Sequence, residues 1–249
     1  VVDASNHAQS EAFRILRTNM AFMNRKDQES QVITFVSFNE GAGKTFVSSN
    51  LAVSLAMAKK KVVVVDLDIR KATISSLFGH SHATGVTNYL YDPEIKVEDI
   101  IIKGVGHANM DMIPAGSKAP NPAELLMDER LDQLIASLRG HYDYIVVDNV
   151  PVGIIADATV SNRIADLTVF VVRAGRMDRR QLPELEELYQ EKKLANMAII
   201  LNGSERHGGG YGYGYGYGYG YGYGYGYGYG YGTEKKKKSF WHIRRKKHK

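Results

Sequence analysis

The chain has 249 residues, 44% hydrophobic and 24% charged, enough for one globular domain with a sizeable core. It contains no cysteine, which excludes a disulfide framework and thiol-based metal or redox chemistry. The net charge is +5, but residues 233–249 hold nine Lys/Arg against one Glu, a net +8, so residues 1–232 stand at −3 and offer no basic face for nucleic acid.

No apolar run has the length of a membrane span, and the first residues do not read as a signal peptide. The start at Val1 leaves room for a membrane anchor upstream. Residues 1–30 read as a helical approach segment, with Phe13, Ile15, Leu16 and Met20 at apolar positions. VITFVSF over 32–38 is a continuous apolar run ending in a Gly-bearing loop, and a helix over 45–60 follows it. KVVVVDLD over 61–68 is a second strand, apolar until it reaches two aspartates. Further strands are expected over 110–113, 144–148, 167–172 and 197–201, separated by helical stretches, notably 122–140 and 179–194. Strands without alternation, interleaved with helices, predict an α/β fold: a mostly parallel sheet with helices on both faces. In such sheets function collects at the carboxyl ends of the strands.

Globular patterning stops near Asn202. Strict Tyr-Gly alternation then places tyrosines at Tyr211, Tyr213, Tyr215, Tyr217, Tyr219, Tyr221, Tyr223, Tyr225, Tyr227, Tyr229 and Tyr231. A segment that is half glycine cannot offset its ordering entropy and is expected to be disordered. Four parts result: a helical segment (1–30), a globular domain (31–205), the Tyr-Gly cluster (206–232) and a basic tail (233–249).

The chemistry gathers after the first strand. In Glu40-Gly41-Ala42-Gly43-Lys44-Thr45, glycines let backbone N–H groups turn around phosphate oxygens, and the following helix adds the positive end of its dipole. Lys44 can reach the β- and γ-phosphates of ATP, and the Thr45 hydroxyl can join the shell of Mg2+. Phe38 stands where the strict pattern has its first glycine; an ordinary strand–helix turn would also read this way. Asp66, Asp68 and Asp148 close two further strands. Any one of them could simply cap a helix. Together they suit a site that holds a hard cation and deprotonates a hydroxyl.

From about Glu11 to Asn202 the sequence resembles the bacterial tyrosine kinase family, built from P-loop ATPase parts and tied to capsule and exopolysaccharide export. VVVVDLDIRKATISSLFG resembles its second Walker-type motif, YDYIVVDNVPVGIIADA its Walker B strand and following loop, and IPAGSKAPNPAELL a segment specific to it. In the last, Asn121 is expected to cap a helix, with Pro122 in its first turn and Glu124 closing a capping box. The resemblance implies a P-loop NTPase-type fold with Glu40, Gly41, Ala42, Gly43, Lys44, Thr45 and Phe46 around the nucleotide. It implies Thr45, Asp66 and Asp148 at the metal, and Lys44, Asp66 and Asp68 in catalysis, with the proton taken by Asp68 or Asp66. Phe38-Asn39 and Asn149-Val150 depart from the family's usual residues.

Glu11, Arg14 and Arg17 fall at about 0°, −60° and −120° around a helix, which alone reads as a solvated face. The resemblance implies instead a subunit interface in a homo-oligomeric ring, where Arg–carboxylate pairs suit a head-to-tail contact. It also implies that neighbouring subunits phosphorylate the tyrosine cluster, whose flexible span is about 25 Å. Further implied partners are a transmembrane activator, fused upstream or separate, and an opposing phosphotyrosine phosphatase. The domain would work at the cytoplasmic face of the bacterial inner membrane. Lys235 to Lys238 and Arg244 to Lys247, around Phe240, Trp241 and Ile243, suit an anionic membrane surface. Each phosphotyrosine adds about −1.5 to −2 charges and could loosen that contact.

The competing expectation is a switch-type ATPase of the partitioning or division-positioning kind, which shares the loop and aspartates. It carries an extra lysine where this chain has Asn39 and lacks the tyrosine array. A third is a polysaccharide-assembly subunit in which ATP only drives ring formation. His80, His82 and His141 have no metal-ligand spacing.

Overall fold

The computed structural model describes residues 7–23, 30–150 and 163–204. The chain divides into two units, Val1–Arg206 and His207–Lys249, and every described residue belongs to the first. The Tyr-Gly cluster, the basic tail and residues 151–162 lie outside the described residues.

Six strands form one sheet: β1 (Gln31–Val36), β2 (Val62–Asp66), β3 (Met110–Ile113), β4 (Tyr144–Asp148), β5 (Leu167–Arg173) and β6 (Ala198–Asn202). Their order is β3-β2-β4-β1-β5-β6, and every neighbouring pair is parallel. The expected parallel α/β architecture is the one observed. β1, β2 and β4 are buried along their whole length, which explains why they read as unbroken apolar runs rather than alternating ones.

Alternate residues of these strands feed the packing on the two faces of the sheet. Ile33, Phe35, Val62, Val64 and Val146 pack with Leu51 and Leu55 of α2 (Lys44–Met57) and with Phe13 and Met20 of α1 (His7–Met23). Val63, Val65, Ile145 and Val147 pack with Leu131, Leu134 and Leu138 of another helix, Glu129–Arg139. Each fully buried side chain of this size contributes roughly 1.5–3 kcal/mol. Asp66 and Asp148 share the parity of Val64 and Val146, so the pleat delivers both carboxylates to the α2 side of the sheet.

α3 (Thr73–Leu77) follows β2, and α4 (Val86–Tyr91) precedes β3. The helix expected over 122–140 is two: α5 (Pro122–Leu125) and α6 (Glu129–Arg139). Asp128 interrupts them with extended backbone (φ −64°, ψ 141°), and its side chain accepts from Arg130 N–H as the cap of α6. Arg163 donates to the carbonyls of Leu126, Met127 and Asp128, satisfying groups that the break releases. Asn121 makes no side-chain cap bond, so the expected Asn121–Glu124 box does not form. The stretch over 179–194 is a 3-10 turn, Arg179–Gln181, leading into α7 (Leu182–Gln190). Among the described residues no helix is long and apolar enough to cross a membrane.

Candidate active site

The turn from β1 into α2 bends through two glycines in the left-handed region. Gly41 and Gly43 sit at φ 74° and 96°, a region closed to other L-residues without strain. Gly43 caps α2 without a side chain, and the first turn of α2 holds no acidic residue. The helix therefore presents its amides and the positive end of its dipole to whatever lies in the turn. Two clamps hold the loop from behind: Arg173 Nη1 donates to Gly41 O at 2.9 Å, and Asn202 Nδ2 donates to Ala42 O at 2.9 Å. Both residues stand at strand ends, in register with each other across β5 and β6.

Lys44 is buried, and its ammonium donates to Ser37 Oγ at 3.3 Å. Burial lowers its pKa, while the Asp148 and Asp68 carboxylates act in the opposite sense. Thr45 donates its hydroxyl to Asp148 Oδ2 at 2.6 Å. The other oxygen, Asp148 Oδ1, is buried and has no hydrogen-bond partner among the described residues. Burial pushes the Asp148 carboxyl up to about 6 against the pull of Thr45 and Lys44.

Asp66 pairs in register with Asp148. Its Oδ2 accepts from the N–H and hydroxyl of Ser75, at 2.9 and 2.6 Å, and its Oδ1 accepts from Asp68 N–H at 3.1 Å. Burial raises its pKa to about 7, with the Ser75 bonds opposing. Asp68 retains 8% exposure against 0% for Asp66. Glu40 points outward and forms an ion pair with Lys71, which holds the Glu40 carboxyl below its ordinary range. Phe46 is exposed on its outer side and meets Phe13 edge-on at 5.8 Å.

Lys44, Thr45, Asp66, Asp68 and Asp148 thus come together from three strand ends. Glu11, Arg14 and Arg17 lie on α1, away from that group. Glu11 and Arg14 pair with each other, both well exposed, whereas Arg17 donates to Ser54 O at 2.7 Å and ties α1 to α2. Sequence reasoning missed Ser37, Lys71, Ser75, Arg173 and Asn202. Polar residues closing β5 and β6 were the available signal for the last two.

A turn of this kind between the first strand of a parallel sheet and its helix, backed by acidic strand ends, makes the domain one of the P-loop NTPase type, with a nucleotide site at the carboxyl edge. Comparison with known proteins narrows this. Residues 30–193 match the family described as AAA domain. Tyrosine-protein kinase CpsD of Streptococcus agalactiae is 32% identical over 193 residues, covering 77% of this chain and 82% of that protein. The solved kinase domain of Escherichia coli tyrosine kinase ETK superposes with a TM-score of 0.74 at 33% identity, covering 86% of this chain and 83% of that one. The septum site-determining protein MinD from Pyrococcus horikoshii, complexed with Mg-ADP, gives 0.57 at 26% identity, with 69% and 70% covered. The chain belongs to the bacterial tyrosine-protein kinase family.

Proposed function

We propose that this kinase moves the γ-phosphoryl group of ATP onto tyrosines of its own Tyr211–Tyr231 segment, in trans between subunits of a ring. The tyrosine oxygen forms the new bond to phosphorus as the bond from γ-phosphorus to the β,γ-bridging oxygen breaks. ADP leaves, and the phenolic proton passes to a carboxylate of the Asp66–Asp68 pair. Such transfer depends on positioning and charge neutralisation. Lys44 and the amides of the phosphate loop supply both.

The observation that carries the reading is Asp68. Thr45, Asp148 and Asp66 are the residues placed to hold a cation, yet a further carboxylate lies at the site, where Lys44 feels its charge. A proton acceptor is what an incoming tyrosine needs and what nucleotide binding alone does not.

Mg2+ fits the residues present. Asp148 Oδ1 is a buried carboxylate oxygen with unused bonding capacity, next to a hydroxyl and in register with Asp66. Thr45, Asp148 and Asp66 would hold the ion, which supplies neutralisation of phosphate charge. Among the described residues no three His, Asp or Glu side chains could bind a metal unaided, so nucleotide oxygens and water would complete its shell.

Exposed Glu11 and Arg14 support a ring contact made through α1. In this reading the kinase regulates capsule or exopolysaccharide synthesis and export at the cytoplasmic face of the inner membrane. A transmembrane activator and a phosphotyrosine phosphatase set its state, and the tail at 233–249 meets anionic lipid.

The test is phosphotyrosine mass spectrometry after incubation with ATP and Mg2+, with Lys44→Met as control. Phosphate is expected on Tyr211–Tyr231 in the parent and none in the variant. Mixing full-length Lys44→Met with an active chain ending at Ser204 should phosphorylate the inactive partner's tyrosines. ATP consumption with bare tyrosines, activator present, would instead favour the switch-type ATPase that the likeness to MinD allows.

A further inference from the structure

We propose that Ser75 is a positioning residue for phosphoryl transfer: it fixes the Asp66 carboxylate, and through it Asp68, against the turn that follows β3. The inference rests on the kinase reading above.

Ser75 lies on α3 and is 1% exposed. Its hydroxyl accepts from Ala115 N–H at 3.0 Å and lies 2.6 Å from Asp66 Oδ2. A serine hydroxyl has one proton. An ionised Asp66 can only accept, so that proton goes to it and the direction runs from Ala115 through Ser75 to Asp66. Ser75 N–H donates to the same carboxylate oxygen at 2.9 Å. The opposite oxygen accepts from Asp68 N–H. The carboxylate that Ser75 holds therefore holds, in turn, the peptide group carrying Asp68.

The other end of this chain is rigid. Pro114 O accepts from Val86 N–H at 2.8 Å, and Ala115 O accepts from Thr87 N–H at 3.0 Å. Gly85 approaches Pro114 so closely that any side chain there would strike its carbonyl. The Pro114–Ala115 turn is thus fastened to the start of α4 and serves as the fixed point from which Ser75 orients the carboxylates. Ser75 makes no hydrogen bond to the phosphate loop or to Lys44, so its effect should fall on transfer rather than on nucleotide affinity.

Steady-state transfer to tyrosine, measured on the full chain for Ser75→Ala, Ser75→Cys and Ser75→Thr, tests this. Ser75→Ala should lower kcat roughly 10- to 100-fold while KM for ATP and the Kd for ADP stay within about threefold of parent. Ser75→Cys keeps the volume but donates weakly and should fall in the same direction. Ser75→Thr keeps the hydroxyl and should recover most of the loss. A kcat within about twofold of parent for Ser75→Ala, or for Ser75→Cys if the alanine variant unfolds, overturns the role. A loss shared equally by Ser75→Thr, or one that appears in ADP affinity, overturns it too. A parent that forms no phosphotyrosine overturns the kinase reading beneath it, a result distinct from all of these.

Discussion

Asp66 and Asp148 lie side by side in parallel register at the ends of β2 and β4, with 0% and 1% of their surfaces exposed. Two carboxylates so placed cannot both ionise without cost. The cost falls where function needs it, since a bound cation would repay the charge that water no longer solvates.

Titration of the two carboxyls should govern how stability varies with pH. Both start from an ordinary value of 3.8, and burial raises Asp148 to about 6 and Asp66 to about 7. The fold therefore binds these protons more tightly than the unfolded chain does. Their stabilising contribution is fully present below 3.8 and is lost as pH rises through about 6 to about 7. In nucleotide-free and Mg2+-free protein, Asp148→Asn should be more stable than parent at pH 8 by roughly 1–3 kcal/mol. That gap should close as pH falls toward 4. Thermal unfolding across the pH series checks it; a gap independent of pH would mean that ionisation of Asp148 costs the fold nothing.

Lys44→Met should separate stability from activity. The Lys44 ammonium is buried and, among the described residues, donates to Ser37, whose hydroxyl itself donates to Asn39 O at 2.8 Å. Methionine matches the aliphatic stem and leaves Ser37 satisfied. The melting temperature should hold or rise by a few degrees, while transfer falls roughly 100-fold or more. Calorimetry beside a phosphotyrosine assay decides; a variant that unfolds would show that Lys44 is structural.

The sheet and the phosphate loop were legible in the sequence because their signals are local. Unbroken Val/Ile runs mark strands buried on both faces, and Gly41, Gly43, Lys44 and Thr45 sit within five residues. The supports were not legible, because each depends on a partner brought in by the fold. Arg173 reaches Gly41 from 132 residues away, and Asn202 reaches Ala42 from 160. The break at Asp128 is of the same kind: the pattern over 122–140 is helical throughout, yet Arg163, some 35 residues on, takes the carbonyls of the interrupted turn. Arg17 shows the converse. Its spacing with Glu11 and Arg14 reads as one charged stripe, but packing of α1 on α2 turns its guanidinium to Ser54 O.

Asp166 joins three elements at the opposite end of the sheet. It accepts two bonds from the Arg139 guanidinium, at 2.7 and 3.1 Å, and one from Val32 N–H at 2.7 Å. The pair is partly exposed, at 34% and 17%, so solvent screens it less than a fully exposed bridge, and loss of Asp166 also takes the acceptor from Val32 N–H. Asp166→Ala should destabilise the domain by roughly 2–4 kcal/mol, read from denaturant midpoints at unchanged slope. A shift below about 1 kcal/mol would place the pair with ordinary surface bridges.

Gly43→Ala should damage the nucleotide site in two ways that can be separated. At φ 96° an alanine pays the left-handed penalty, about 1–2 kcal/mol. Its Cβ would also run into the Asn202 side-chain amide, displacing the bond to Ala42 O, worth roughly 0.5–1.5 kcal/mol. Both effects turn loop amides away from where phosphate binds, so affinity for a fluorescent ATP analogue should fall about 10-fold or more. Asn202→Ala alone keeps the glycine backbone and loses only the clamp, so its loss of affinity should be smaller. In the double variant the collision is gone and the backbone strain remains, which sets its stability above that of Gly43→Ala and below that of Asn202→Ala. Equal affinity for parent and Gly43→Ala would mean that the loop reaches its phosphate-binding form by a route that does not need a left-handed residue at position 43.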